Sequence, residues 1–348
     1  MRIVIATVQV PFVFGGAEMH AIELKKAFVA EGHDTEIVTF PFNPAVPERI
    51  SDQMLACRLV DLNEVHGMTV DRVIALKFPA YLIPHANKVV WLLHQHRAAY
   101  DLWGNPFENL DGVAHGLVIR QAIRQADREL ANVRALFANS QNVARRLRQY
   151  CEIESTPLYH PPPNAESFYC APKPLDYVLF LSRLSAIKRQ SLVLKALALT
   201  KQPVRVRFGG VADSRAYGDR LKLLAEELGV QSRVEWLGNL NETQKYKAYA
   251  EAMAVVFPPV DEDYGYITLE AMLSSKPVIT CTDAGGALEF VQHEKTGLIT
   301  EPTAEALAEA LDKLWREPKL AAEYGRQVRI YYDQLDLSWS HIVKRLLA

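Results

Sequence analysis

Short apolar runs alternate with helical stretches from the first residues onward, and that alternation leaves few folds open to this chain. Residues 3–8, Ile-Val-Ile-Ala-Thr-Val, are apolar almost throughout. A strand with one wet face alternates in polarity, whereas a strand covered on both faces does not. A loop with Gly15-Gly16 follows, then an amphipathic stretch over 17–30 that ends near Gly32, then a second apolar run over 36–40. Runs at 73–76, 89–93 and 136–138 continue the series, with helical patterns over 113–132 and 141–150. Strand, helix, strand repeated in this way predicts an open parallel α/β sheet.

Pro161-Pro162-Pro163-Asn164, with Pro172 and Pro174 beyond, interrupts the pattern and reads as a linker. Alternation then begins again. Strands are expected at 177–181, 204–208, 234–237, 255–257, 278–280 and 298–299, with helices at 190–199, 217–228, 304–315 and 339–347. Asn241 followed by Gln244 predicts a capping box opening a further helix. The expectation is two doubly wound domains, 1–165 and 166–335, facing a cleft. At 348 residues the chain is long enough for two such cores.

Composition narrows the function classes. With 49% hydrophobic and 23% charged residues the chain is ordinary globular protein, and a net charge of −2 gives no reason to expect nucleic acid as partner. Cys57, Cys151, Cys170 and Cys281 have no paired or metal-like spacing, which predicts a reducing compartment and inert thiols. The first residues enter a strand at once and do not read as a signal peptide, and no apolar run approaches the roughly 18 residues that span a bilayer. A cytoplasmic protein is expected, with a peripheral place on the inner membrane face left open.

In open α/β sheets ligands bind beyond the carboxyl ends of the strands, and the motifs collect there. Asp261 to Met272 follows an expected strand and Pro258-Pro259; it places Glu262 and Glu270 on either side of seven residues, with Gly265 between. The run from Thr268 is helical, so Gly265, Tyr266 and Ile267 should form a helix start that suits an anion. The two acids then suit hydroxyl groups rather than that anion. Arg183 and Lys188 follow the first strand of the second half, where a fork and a movable point charge can converge on a diphosphate. A basic pair at a turn is also ordinary solvated surface. Gly209-Gly210 and Gly238 end the next expected strands and permit close backbone approach, although turn chemistry alone accounts for either. Asp283-Ala-Gly285-Gly286 opens another strand-to-helix loop, with Glu289 in the short helix beyond.

In the first half, Gly15-Gly16 offers amides between strand and helix, yet G-x-G-x-x-G is absent, which counts against a dehydrogenase. His94 and His96 follow a strand end and can hydrogen-bond a substrate; no Cys or His cluster completes a metal site. The acidic triplet Asp261-Glu262-Asp263 is the alternative metal reading, made redundant by the countercharge of Arg183 and Lys188. Arg120, Arg124 and Arg128 recur every fourth residue, with Arg145, Arg146 and Arg148 beyond; this is either a solvated helix face or a face for anionic lipid.

Taken together the chain resembles the retaining, nucleotide-sugar-dependent glycosyltransferases of family 4, with the GT-B fold, over nearly its whole length. The likeness is carried by Ser182-Arg183-Leu184 with Lys188, Leu237-Gly238, Glu262 through Ala271, Lys276-Pro277-Val278-Ile279, Gly285-Gly286-Ala-Leu-Glu289 and Thr296-Gly297-Leu298. The resemblance implies that Glu262 holds donor-sugar hydroxyls, Glu270 the ribose hydroxyls, and Arg183 with Lys188 the leaving diphosphate. It implies backbone contacts from Gly265, Tyr266 and Ile267, approach of Gly16 from the opposite domain, and His94 near the sugar. Ser338-Trp339 then begins a C-terminal helix, within 336–348, that crosses back onto the first domain. No metal or cofactor is implied; the partners are a nucleotide-sugar donor and a saccharide or lipid-linked saccharide acceptor. With no carboxylate evident for a covalent intermediate, front-face substitution with retention is expected, the protein acting by electrostatics and positioning. Two departures stand out: His160-Pro-Pro-Pro-Asn164 where the family has Asn-Gly, and Asp263-Tyr264 where Pro-Phe is common. A sugar-nucleotide epimerase and a non-catalytic nucleotide-sugar binder are the other readings. The first changes the sugar without any acceptor, the second turns nothing over.

Overall fold

The computed structural model describes residues 1–105, 107 and 110–348. Contacts divide the chain into two compact units, Met1–Pro163 with Leu337–Ala348, and Asn164–Asp336.

In the first unit the strands are β1 (Arg2–Gln9), β2 (Asp34–Pro41), a short pair β3 (Glu64–Val65) and β4 (Met68–Thr69), then β5 (Arg72–Ala75), β6 (Lys88–Leu92), β7 (Ala135–Ala138) and β8 (Thr156–Pro157). Among the described residues all but the antiparallel β3–β4 pair join one sheet in the order β2-β1-β5-β6-β7-β8, every pairing parallel. Ile3, Ile5, Ile74 and Trp91 point to one core and Val4, Ala6, Val73 and Val90 to another, which is why the strands read as unbroken apolar runs. The helices α1 (Gly16–Ala30), α2 (Ile50–Arg58), α3 (Gly116–Asp127) and α4 (Gln141–Cys151) cover the two faces. The stretch expected as one helix over 113–132 is shorter: His115 caps α3 in a left-handed conformation, and residues after Asp127 tighten into a 3₁₀ turn. The last residue of α3 is the fully buried Asp127, which accepts hydrogen bonds from Tyr81 and, at 2.6 Å, from Tyr100. Burial lifts this carboxyl to about 6 despite both donors.

The second unit repeats the plan with β9 (Val178–Leu181), β10 (Val206–Gly209), β11 (Val234–Gly238), β12 (Ala254–Val256), β13 (Val278–Cys281) and β14 (Gly297–Thr300), ordered β11-β10-β9-β12-β13-β14 and parallel throughout. Around this sheet lie α5 (Gln190–Leu199), α6 (Arg215–Glu227), α7 (Glu242–Glu251), α8 (Tyr266–Leu273), α9 (Ala304–Arg316) and α10 (Pro318–Gln334). The expected capping box at Asn241 and Gln244 is formed, at 2.9 and 3.0 Å. Helices α2 and α10 have no counterpart in the sequence reading.

The last helix, α11 (Trp339–Leu347), belongs to the first unit although it follows the second in sequence. Ser338 caps it, accepting from the His341 amide at 3.2 Å, and Ile342, Val343 and Leu346 enter the core of Ile3, Ile5, Leu24 and Phe28. Burying such side chains contributes about 1.5–3 kcal/mol each. At its far end Arg72 donates to the Leu346 carbonyl at 2.8 Å, a cation placed where the helix dipole favours one. Trp339 stacks on His160, and His20 lies edge-on to both His160 and Trp91. Among the described residues no helix is long and apolar enough to cross a membrane.

Candidate active site

In the second unit the strand order turns outward between β9 and β12, so the loops after these two strands leave in opposite directions and open a crevice between them. Arg183 and Lys188 stand on one of these loops, Glu262 and the start of α8 on the other. The Lys188 ammonium pairs with the Glu262 carboxylate across the crevice. Both side chains are less than one-fifth exposed, which keeps the attraction from being screened away.

Backbone pairing holds Glu262 from both sides. Its amide donates to Ala284 O at 3.1 Å and its carbonyl accepts from Gly286 N at 2.7 Å, while Asp261 N donates to Asp283 O at 2.8 Å. A Cβ on Gly286 would lie 2.6 Å from Asp263 O, so only glycine permits this approach. Gly265 caps α8 with φ of 87°, again a glycine conformation, and Tyr266 and Ile267 supply the first turn. The positive end of the helix dipole therefore lies a few residues from Glu262.

Glu270, one turn further along α8, is buried and already engaged. Tyr249 on α7 donates to it at 2.8 Å, and Lys245 pairs with it at 3.4 Å and with Glu242 at 3.0 Å. Burial raises the Glu270 carboxyl, and Lys245 and Tyr249 work against that rise. For Lys245 burial pulls down, yet its two carboxylate neighbours carry the ammonium above its ordinary value. Lys245 and Tyr249 were not found from the sequence, because nothing local links α7 to a carboxylate some twenty positions on.

The remaining expected residues of this unit also lie at the carboxyl ends of strands. Arg183 is exposed and pairs with Asp213 at 2.7 Å. Gly210, at φ of 123°, follows β10 and donates to Gly238 O at 2.8 Å; a Cβ there would lie 1.9 Å from Ser182 O. Gly238 ends β11 at φ of 66° with open space where a Cβ would be. Gly210 is therefore demanded by packing and Gly238 only by its backbone angle.

In the first unit Gly16 opens α1 at the end of β1, and His94 follows β6, with β5 between those two strands. The amide of Gly15 is taken by the Glu18 carboxylate at 2.8 Å, so the loop amides are less available than the sequence suggests. The His94 ring lies 2.7 Å from Gln95 O, and Gln95 in turn donates to Cys151 Sγ at 3.1 Å. His96 packs edge-on to Phe42 and tilted against Phe78, and burial lowers it to about 4, which marks it as a packing histidine. On α3, Arg120 lies over the Trp103 ring and Arg124 over Tyr100, so these two members of the arginine stripe are partly folded back onto the protein.

Residues 169–330 match the family described as Glycosyl transferases group 1. The human alpha-1,3/1,6-mannosyltransferase ALG2 is 30% identical over 161 residues, 42% of this chain and 38% of that protein. A D-inositol 3-phosphate glycosyltransferase from Gordonia bronchialis is 28% identical over 49% of this chain and 39% of its own length. The chain thus spans less than half the length of these curated relatives. Among solved structures, sucrose-phosphate synthase from Thermosynechococcus elongatus superposes with a TM-score of 0.79 at 20% identity, covering 99% of this chain and 97% of that one. That likeness establishes the fold as GT-B, two Rossmann-like domains, as expected.

Proposed function

We propose that this chain, whose residues 169–330 match the glycosyl transferases group 1 family, is a retaining hexosyltransferase of the family-4 kind. It takes its sugar from a nucleotide sugar and passes it to a saccharide or lipid-linked saccharide acceptor. The observation that carries this reading is the Lys188–Glu262 pair at the switch point of the second sheet, beside the N-terminus of α8. A diphosphate is drawn by the ammonium and the helix start, while hydroxyl groups are drawn by the carboxylate. One donor carries both groups.

In this mechanism the arriving diphosphate takes Lys188 from Glu262, and the released carboxylate accepts hydrogen bonds from the sugar hydroxyls. Arg183, exposed and paired with Asp213, turns to join Lys188, and the amides of Tyr266 and Ile267 beyond Gly265 add to them. Charge building on the leaving diphosphate is thereby met by groups already in place. Glu270, oriented by Tyr249 and Lys245, receives the ribose, and Gly210 and Gly238 bring backbone close to the nucleotide. The acceptor hydroxyl attacks the face from which the diphosphate departs and gives its proton to the departing phosphate oxygen as the sugar–phosphate bond breaks, giving retention with no metal required. Mannose from GDP-mannose is the first donor to test, supported by the similarity to a mannosyltransferase; a UDP sugar is next.

A thermal-shift screen across nucleotide sugars tests the reading, since the true donor raises the melting temperature by mass action. NMR of the product then reads the anomeric configuration, and an inverted anomer or the absence of any nucleotide binding would refute it.

We also propose peripheral contact with an anionic bilayer through Arg120, Arg124 and Arg128. It is supported by Leu117 and Val118, which are more than three-fifths exposed on the same helix. Flotation with vesicles that contain phosphatidylglycerol, but not with phosphatidylcholine alone, is the expected outcome; equal flotation with both would remove the idea.

A further inference from the structure

We propose that Arg189 and Asp283 form a fixed clamp that positions Lys188 and Glu262 for donor chemistry; this rests on the donor-site reading of those two residues. Arg189 is a non-glycine residue in the left-handed region, with φ of 60° and ψ of 38°, a conformation that costs energy and persists only where surroundings enforce it. Backbone hydrogen bonds from Arg189 N to Ala186 O at 3.1 Å and from Leu192 N to Arg189 O at 3.0 Å hold the turn, and the side chain adds a two-pronged ion pair: Nη1 and Nη2 of Arg189 donate to the two carboxylate oxygens of Asp283 at 2.8 and 2.7 Å. The left-handed turn at 189 sends consecutive side chains to acids on different loops, Lys188 to Glu262 and Arg189 to Asp283.

The backbone closes a ring around these pairs. Val260 N donates to Ile187 O at 2.8 Å, Asp261 N to Asp283 O at 2.8 Å, and Glu262 N to Ala284 O at 3.1 Å. The loops after β9, β12 and β13 are therefore stitched in sequence, and the Arg189 fork ties the first of them directly to the third. The two pairs differ in kind. Lys188 is a point charge on a flexible stem, free to exchange one anion for another, whereas a planar fork on a carboxylate fixes orientation. When Lys188 turns to a diphosphate, Arg189–Asp283 remains and keeps the crevice walls in register. Arg189 is thus a positioning residue.

The test uses the full chain, GDP and UDP in calorimetry, and acceptor-free hydrolysis of GDP-mannose and UDP-glucose as the rate probe. Arg189→Gly relieves the backbone strain while deleting the fork, so its melting temperature should stay within a few degrees. Its kcat should fall about tenfold with KM within threefold, because misplaced charge is felt most in the transition state. Asp283→Asn should behave alike, and the exchange Arg189→Asp with Asp283→Arg should restore most of the rate, since Asp tolerates the left-handed turn. Unchanged kcat in Arg189→Gly, or an exchange variant no better than the single ones, overturns the clamp and leaves the donor site standing. Wild-type protein that binds neither nucleotide and hydrolyses neither sugar overturns both.

Discussion

Lys188 and Glu262 meet as an ion pair between the loops that follow β9 and β12, the two strands at which the second sheet changes direction. Removing one partner of such a shielded pair deletes their mutual attraction and, in the proposed mechanism, a group that meets the leaving diphosphate. Lys188→Met should therefore lower transfer by about 10²–10³-fold and stability by about 1–3 kcal/mol. Glu262→Gln, nearly the same shape, should lower transfer with a smaller loss of stability. Steady-state kinetics beside urea denaturation separates the two effects.

Tyr249 and Lys245 hold the Glu270 carboxylate in its buried place. Tyr249→Phe deletes one hydrogen bond to a charged group and leaves the packing unchanged. Nucleoside diphosphate affinity should fall about three- to tenfold, with a stability loss of about 1–2 kcal/mol. Calorimetric titration with GDP and UDP would show this, and unaltered affinity would remove Glu270 from the nucleotide site.

Gly210 and Gly238 lie on neighbouring strand ends yet differ in what a methyl group would meet. Gly238→Ala should cost only the left-handed backbone, about 1–2 kcal/mol. Gly210→Ala adds a clash with Ser182 O and should cost at least about 3 kcal/mol. The urea midpoints of the two variants give the comparison directly.

Acid should weaken the first unit through its buried histidines. Burial takes His160 to about 3 and His20 well below its ordinary value, so the unfolded chain binds more protons below about pH 6.5 and stability falls as pH falls. Between pH 7 and pH 5 His160 alone accounts for a loss on the order of 2 kcal/mol. Asp127 opposes this: its carboxyl, raised to about 6, takes up a proton first in the folded state and returns about 1 kcal/mol over the same interval. Both ring nitrogens of His20 are buried without a hydrogen-bond partner, so His20→Leu should leave the pH 7 melting temperature near or above wild type and flatten its fall towards pH 5. A pH series of thermal melts checks the slope.

Much of this architecture is legible in local sequence. The expected bounds of α5 and α11 coincide with the observed ones, and the core strands lie within about two residues of their expected places, because covered parallel strands carry a continuous apolar signal. Helix α10 escaped notice even though Pro318 stands at its first position, a usual helix-start signal. Helix α2, with Ile50, Met54 and Cys57 inward, was missed because its inward residues are few and its remaining faces polar.

By itself the sequence determined two α/β sheets, the break at the prolines, and a gathering of charged and glycine residues at strand ends. These follow from periodicity and turn chemistry, which act over a few residues. Only the tertiary structure decided which charges meet: Lys188 with Glu262, Arg189 with Asp283, Glu270 with Lys245 and Tyr249. It also decided that Arg146, one of several arginines on its stretch, is buried, and that Arg120 lies against Trp103. Strand order sets those meetings, because it makes neighbours of loops separated by tens of residues. No local pattern encodes a distance across a sheet.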